Sequence, residues 1–248
     1  MTDDAYLSLG LESRDRVNQQ FGGGIPSGSI VLLSGPDGTG KSCLTQRFTY
    51  GFCDEGYDTT YISTELDSKG FLEQMYSISY DVTDHLLQDR LLFLNADIDT
   101  HRVDGEATGV RDLLPKFSES PGMWESDVIV IDEFAAMLRN DPGFDQSTEY
   151  GDEDHAMQSL LNFFRKITSR GKVLILTVSP DGLSDRGLRP LQEAADLYFD
   201  IETEQVGSNV QHSMTVKRFS EMKQPVDDTI GFAVEQGRGI AIQSRTVA

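Results

Sequence analysis

The sequence predicts an α/β fold: a parallel sheet flanked by helices, with an antiparallel β extension at the C-terminal end. Three observations carry that reading. Short apolar runs alternate with segments of helical periodicity between Ser29 and Val178. A glycine-rich loop, Gly35-Pro36-Asp37-Gly38-Thr39-Gly40-Lys41-Ser42, joins a strand-like run to a helix-like one. From Leu197 onward the chain changes to β-rich runs joined by turns. The 248 residues suit one such domain, spanning 1–248, and no internal repeat divides them.

Taken in order, residues 1 to 20 are polar and read as a short helix or arm. Gly22 to Gly28 is a turn cluster. Ser29 to Ser34 is a buried strand leading into the glycine-rich loop. Leu44, Phe48 and Phe52 then recur at spacing four and give one apolar helix face. Asp54-Glu55-Gly56 ends that helix. Thr59 to Thr64 is β-branched and aromatic, hence a strand. Lys69 to Ser79 reads as a helix with Phe71, Leu72 and Met75 on its inner side, and Arg90 to Asn95 as a third strand. Residues 97 to 107 are polar and irregular, and Val110 to Glu119 is amphipathic. Asp127 to Asp132 is a buried parallel strand ending in an acid. An acidic loop, Asp141 to Asp154, precedes a helix from His155 to Ser169 with Met157, Leu160, Leu161, Phe164 and Ile167 inward. Lys172 to Val178 is a further core strand. The tail holds strands at Leu197 to Ile201, Ser213 to Phe219, Gly231 to Val234 and Gly239 to Ile242.

The loop meets the P-loop pattern G-x-x-x-x-G-K-[ST] at every defined position. Its glycines allow a concave nest of backbone N–H groups, placed at a helix N-terminus where the dipole favours anions. The expected ligand is ATP. Asp37, Gly38, Thr39, Gly40, Lys41, Ser42 and Cys43 would surround its phosphates, with Lys41 on the β- and γ-phosphates and the Ser42 hydroxyl on Mg²⁺. Asp132 ends an apolar strand about ninety residues later, as a Walker B acid does, and would share the Mg²⁺ through water. Hydrolysis needs a carboxylate to orient water. Two are available: Glu65, at the end of the second strand, and Glu133, directly after Asp132. Thr177 and Ser179 end the strand beyond Asp132 and are placed to sense a γ-phosphate. Lys217 and Arg218, on a late strand, are the basic pair suited to act on a neighbouring subunit's nucleotide. Adjacent strand residues point to opposite faces, so only one of them should reach a given site. His85, His101, His155 and His212 lack metal-ligand spacing, and Trp124 reads as packing.

Composition narrows the setting. The formal charge is −20, with 7 Lys against 14 Arg and Asp outnumbering Glu. Acidity spread along the whole chain, with scarce lysine, suits a protein adapted to molar salt, where screening within ~3 Å damps self-repulsion. It argues against sequence-independent DNA binding. Cys43 and Cys53 fall ten residues apart on one helix, roughly 15 Å, beyond disulfide reach, and read as reduced cytosolic thiols. No apolar run approaches a membrane span, and no signal-peptide pattern opens the chain.

Gly22 to Ser29, the P-loop, Tyr61-Ile62-Ser63-Thr64-Glu65, Gln74 to Val82 and Gly237-Arg238-Gly239-Ile240 together resemble KaiC-like ATPases of the RecA superfamily. Within these, the short chain is similar to the accessory ATPases of the archaeal flagellum, or archaellum. The resemblance implies a RecA-like core, Glu65 as the water-orienting acid, and a cytoplasmic ATP-binding protein with weak hydrolysis. It implies homo-oligomeric rings that dock on the archaellum motor ATPase and membrane-base components, peripheral to the membrane without insertion. A KaiC-like signalling autokinase, with Ser63 and Thr64 as candidate acceptors, stays open as an alternative. So does a recombinase paralogue, although acidic residues stand where basic DNA-binding loops would be expected. The chain departs from the family pattern at Glu133, where RecA-like proteins commonly carry Ser, and in the adjacency of Lys217 and Arg218.

Overall fold

The computed structural model describes residues 5–96, 117, 119–139, 153–206 and 209–243. Two short strands, β1 (Tyr6–Leu7) and β2 (Ile25–Pro26), pair antiparallel. The remaining strands form one nine-stranded sheet. They are β3 (Ile30–Ser34), β4 (Thr59–Ser63), β5 (Leu91–Asn95), β6 (Val128–Asp132), β7 (Val173–Val178), β8 (Leu197–Val206), β9 (Asn209–Phe219), β10 (Thr229–Glu235) and β11 (Gly239–Gln243). Their spatial order is β11-β10-β9-β8-β3-β7-β6-β4-β5. From β8 to β5 every pairing is parallel, and from β8 to β11 every pairing is antiparallel.

The predicted parallel sheet with an antiparallel extension is what the chain forms. Every residue of β3, β4, β6 and β7 is buried. Such strands are covered on both faces and therefore read as continuous apolar runs. Alternation still decides which face each side chain joins. Val31, Leu33, Tyr61, Val128 and Val130 face the P-loop helix α2 (Lys41–Asp54) and helix α3 (Ser68–Ser77), through Leu44, Phe48, Phe52, Phe71 and Met75. Ile30, Leu32, Ile129, Ile131 and Leu176 face the other side, against Phe134 and the Met157, Leu160, Leu161, Phe164 and Ile167 stripe. Trp124 packs edge-on against Phe163 at 5.1 Å and donates its indole N–H to the Phe117 carbonyl at 2.9 Å.

Several elements differ from the pattern-based expectation. Leu72 is exposed, because it lies about 100° round the helix from Phe71, whereas Met75 is a full turn on and inward. Strands β8 and β9 run further than Ile201 and Ser213. Their outer halves carry Glu202, Thr203, Glu204 and Gln205, which show no apolar pattern and are held by hairpin pairing. A helix over Asp185–Ala194, with a Ser184 N-cap bonded to the Gly187 N–H, was not marked by the pattern because Pro190 stands inside it. The long helix Glu153–Thr168, short helices at Val17–Gln20, Thr83–Leu87 and Phe134–Arg139, and single 3-10 turns at Pro121–Trp124 and Pro180–Gly182 complete the described set. The predicted stretch 97–107, most of the predicted helix at 110–119, His101 and most of the acidic stretch 141–154 lie outside the described residues.

The N-terminal arm is clamped onto the P-loop helix. Arg47 is fully buried and makes a bidentate pair with Asp15, at 2.7 and 2.8 Å, while donating to the Leu9 and Gly10 carbonyls at 2.6 and 2.8 Å. Arg14 lies over the Tyr80 ring at 4.4 Å and donates to the Arg238 carbonyl at 3.0 Å, so the arm also reaches the β10–β11 turn.

Candidate functional site

Parallel strands place all their C-terminal ends on one sheet edge. The register aligns Ser34 with Val178 and Asp200, and Ser63 with Asp132. The glycine-rich loop, Glu65, Asp132 and Glu133, and Ser179 therefore converge from β3, β4, β6 and β7 without any long-range device. Gly35 is required where it stands, because a Cβ there would collide with the Ile201 carbonyl of β8. Gly40 caps α2 with φ 86°, a left-handed conformation that suits glycine, and a Cβ added there would come within 3.2 Å of the Phe232 ring edge.

Lys41 opens the helix and is only 5 % exposed. Its ammonium donates to the Gly35 carbonyl at 2.7 Å, the Pro36 carbonyl at 3.0 Å and Ser179 Oγ at 3.1 Å, with Asp37 at 4.0 Å. The cation is thus folded back onto its own loop. Ser179 Oγ also reaches Asp37 Oδ1, and lies 3.1 Å from Glu133 Oε2.

Asp132 is the hub of the second half of the site. Its Oδ1 accepts from Thr177 Oγ1 at 2.8 Å and from Ser42 Oγ at 3.2 Å, and its Oδ2 accepts from Tyr61 Oη at 2.8 Å. Tyr61 in turn lies 3.2 Å from Thr45 Oγ1. Burial first, and then the Asp132 charge, hold the Tyr61 phenol well above its ordinary pKa, so it stays a donor. The Ser42 hydroxyl and Asp132 carboxylate form a hard-oxygen pair that fits Mg²⁺, which takes one or two protein oxygens alongside waters and phosphate. Among the described residues no three His, Cys, Asp or Glu side chains converge as a protein-only cage. Tyr61 was read only as a strand residue. The available signal was a hydroxyl in a fully buried strand, two residues before the aligned Ser63.

The two candidate acids differ in kind. Glu65 is solvent-facing at the end of β4, and its N–H bonds to Ser63 Oγ at 3.3 Å. Partial desolvation, then the Asp132 and Asp37 charges, raise its pKa, with Lys41 and Arg139 opposing. Glu133 is 8 % exposed and sits at φ 56°. Its N–H donates to Thr177 Oγ1 at 2.7 Å, and its buried Oε1 has no hydrogen-bond partner among the described residues. Burial raises its pKa, while Lys41 and the Ser179 hydroxyl pull it down.

The basic pair separates. A bulge in the β8–β9 ladder pairs Tyr198 with Arg218 and Phe199 with Val216, which leaves Lys217 as the extra residue. Lys217, half exposed, reaches to 3.7 Å from Asp200, the residue aligned with Ser34 at the P-loop edge. Arg218 instead donates to the Gln192, Glu193 and Ala195 carbonyls at 2.9, 3.1 and 2.7 Å. It caps the C-terminal end of the Asp185–Ala194 helix, where a cation complements the dipole. His212 stacks on Phe232 with centroids 5.1 Å apart, beside the loop. Burial lowers its pKa and a hydrogen bond to the Thr39 backbone opposes this.

A parallel sheet carrying a P-loop, an acid on a non-adjacent strand and, between them, an apolar strand with a polar residue, Thr177, near its end defines a RecA-type P-loop protein. The family model described as ATPase: KaiC matches residues 14–247. The archaeal flagellar ATP-binding protein FlaH of Methanococcus voltae is 31 % identical over 98 % of this chain and 99 % of its own length. The protein of that name from Methanocaldococcus jannaschii is 32 % identical over 95 % of each. The crystal structure of flagellar accessory protein FlaH from M. jannaschii superposes with a TM-score of 0.82 at 30 % identity, covering 97 % of this chain and 99 % of that one. A KaiC-like protein from Pyrococcus horikoshii shares the fold at a TM-score of 0.71 and 17 % identity over 96 % of this chain and 99 % of that one. The chain belongs to the FlaH family within the KaiC-like ATPases.

Proposed function

We propose that this chain binds ATP with Mg²⁺ in the P-loop and acts as an accessory ATP-binding component of the archaellum. The observation that carries the reading is the Lys41–Ser42–Asp132 constellation, with Ser42 Oγ 3.2 Å from Asp132 and Lys41 buried beside it. The names of its relatives support the cellular setting. Ser42 and Asp132 would hold the metal, which neutralises phosphate charge when bound. Lys41 and the N–H groups of Asp37 to Cys43 would hold the phosphates. Glu65, facing solvent from β4, would orient water for slow hydrolysis.

Nucleotide loading would govern assembly into rings and docking on the motor ATPase. The γ-phosphate can be contacted from two sides when the nucleotide lies at a subunit edge. A ligand shifts assembly only by its differential affinity for the assembled state. Lys217 is placed to supply that difference, since it is half exposed at the P-loop edge of the sheet. Docking would be peripheral: among the described residues no helix is long and apolar enough to cross a membrane. The test is light scattering in molar KCl with no nucleotide, ADP or Mg²⁺-ATP, followed by capture of the motor ATPase under the same conditions. ATP should raise the mass and the captured fraction. Equal mass in all three states at high protein concentration refutes nucleotide-gated assembly.

A further inference from the structure

We propose that Glu133 is an internal anion that holds Ser179 and, through it, Lys41 when no nucleotide is bound, and that it sets the preference between ATP and ADP by competing with the γ-phosphate. The proposal rests on the ATP-binding reading above and assigns Glu133 a role other than water orientation.

The backbone makes the first argument. Glu133 is a non-glycine residue at φ 56°, a left-handed conformation that persists only where surroundings impose it. The imposing contact is the 2.7 Å bond from its N–H to Thr177 Oγ1, whose own hydrogen goes to Asp132. The same hydroxyl therefore holds both the Walker B acid and the turn after it. Glu133 is buried beside Lys41 and Ser179, whereas Glu65 faces solvent.

The second argument is its incomplete satisfaction. An ionised carboxylate is an acceptor only. Among the described residues Oε1 of Glu133 has no hydrogen-bond partner, and Oε2 depends on Ser179 Oγ at 3.1 Å. That hydroxyl has a single hydrogen, and Asp37 Oδ1 competes for it. A buried carboxylate so poorly supplied with donors is costly unless a cation is near. The cation is Lys41, 3.1 Å from the same Ser179 Oγ. Lys41, Ser179 and Glu133 thus form one chain in which Glu133 is the loosely held end.

The third argument is substrate chemistry. Lys41 is the group that meets the β- and γ-phosphates in this loop type. A triphosphate brings a further anionic group to the Lys41 end of that chain, facing the Glu133 carboxylate. A diphosphate stops one phosphate short. Repulsion from Glu133 therefore falls chiefly on ATP, and weak retention lets the carboxylate be displaced.

The experiment measures dissociation constants for ATP and ADP in molar KCl, each with Mg²⁺ and with EDTA, for wild type and Glu133→Gln. The variant should bind ATP about tenfold more tightly, and ADP less than about twofold more tightly, in both metal conditions. Glu133→Gly is the second variant. It removes the carboxylate and relieves the left-handed turn, so it should show the same gain for ATP even if the amide variant folds poorly. Unchanged ATP affinity in a folded variant overturns the proposal. So does weaker ATP binding that appears only with Mg²⁺, which would make Glu133 a metal-shell acid. Wild type that binds neither nucleotide instead overturns the ATP-binding reading itself.

Discussion

Replacing Lys41 by Ala should remove most nucleotide binding while leaving the fold intact. The side chain is 5 % exposed, and its partners without ligand are two loop carbonyls, one hydroxyl and, at 4.0 Å, the Asp37 carboxylate. Truncation removes those bonds and also the cost of burying the ammonium. Pro36 is exposed, so water can replace the lysine at its carbonyl. Because Lys41 is also the cation that offsets the buried Glu133 carboxylate, ligand-free stability should fall by about 1–3 kcal/mol, a melting temperature about 2–12 °C lower. Binding is another matter. Withdrawing a buried cation from an anionic partner costs about 3–5 kcal/mol, a rise in Kd of about 10²–10⁴. At ATP about 1,000 times the wild-type Kd, wild type gains about 4 kcal/mol, whereas the variant gains under about 1.5 kcal/mol. A chain of this length shifts about 2–4 °C per kcal/mol. Wild type should then melt about 8–16 °C higher with Mg²⁺-ATP, and the variant less than about 6 °C higher. Thermal melts in molar KCl decide it, because dilute buffer would unmask repulsion within a chain of net charge −20. An ATP-induced shift in Lys41→Ala equal to that of wild type would show that the nucleotide binds elsewhere.

Four further outcomes are expected. Glu65→Gln should lower phosphate release about 10²-fold and Glu133→Gln far less, since only Glu65 faces the solvent that supplies the water; the reverse order moves the role to Glu133. Lys217→Ala should blunt ATP-promoted assembly with little change in melting, whereas Arg218→Ala should cost about 1–2 kcal/mol through loss of its three helix-end carbonyls and leave assembly intact. Asp15→Asn strands the buried Arg47 charge and should cost about 3–5 kcal/mol, read as a melting temperature about 10 °C lower. Burial pushes the Cys53 thiol up to about 11, so at pH 8 only about one in 10³ is thiolate; alkylation should be slow in the native state and fast in denaturant. Because the folded pKa lies above the unfolded one, this group's contribution to stability is full below about pH 9 and is lost as pH rises towards about 11.

The parts of the fold that were legible are those where one physical signal dominates. The strands β3, β4, β6 and β7 are buried on both faces, so composition alone marks them. The helix carrying Met157 to Ile167 has one inward stripe, so periodicity marks it. The P-loop and Asp132 were legible because their chemistry needs particular residues at particular spacing. What stayed hidden depends on pairing between distant segments. The polar outer halves of β8 and β9 exist because they pair with each other, and no local preference says so. The sequence pairs Arg218 with Lys217 as a basic pair for a neighbour's nucleotide, whereas its three carbonyl partners come from a helix that Pro190 obscured. Tyr61 became a site residue only when β4 was laid beside β6, which puts its hydroxyl on Asp132.

That same dependence on pairing gives the antiparallel extension a place in the chemistry. It could be taken for an appendage to a nucleotide-binding core, yet it forms one wall of the P-loop. Gly35 packs on the Ile201 carbonyl of β8, and Gly40 lies against Phe232 of β10. His212 of β9 stacks on Phe232, with ring centroids 5.1 Å apart. Five residues further along β9, Lys217 leaves the sheet at the bulge and reaches towards the P-loop edge. Packed interiors transmit small displacements because they contain few voids. A phosphate that reshapes the loop between Gly35 and Gly40 therefore presses directly on the strands that carry Lys217. This short route, built from contacts already present without nucleotide, is the physical reason to expect loading and assembly to be linked. It also makes Phe232 the residue whose truncation should loosen that link while sparing the Lys41 and Asp132 contacts.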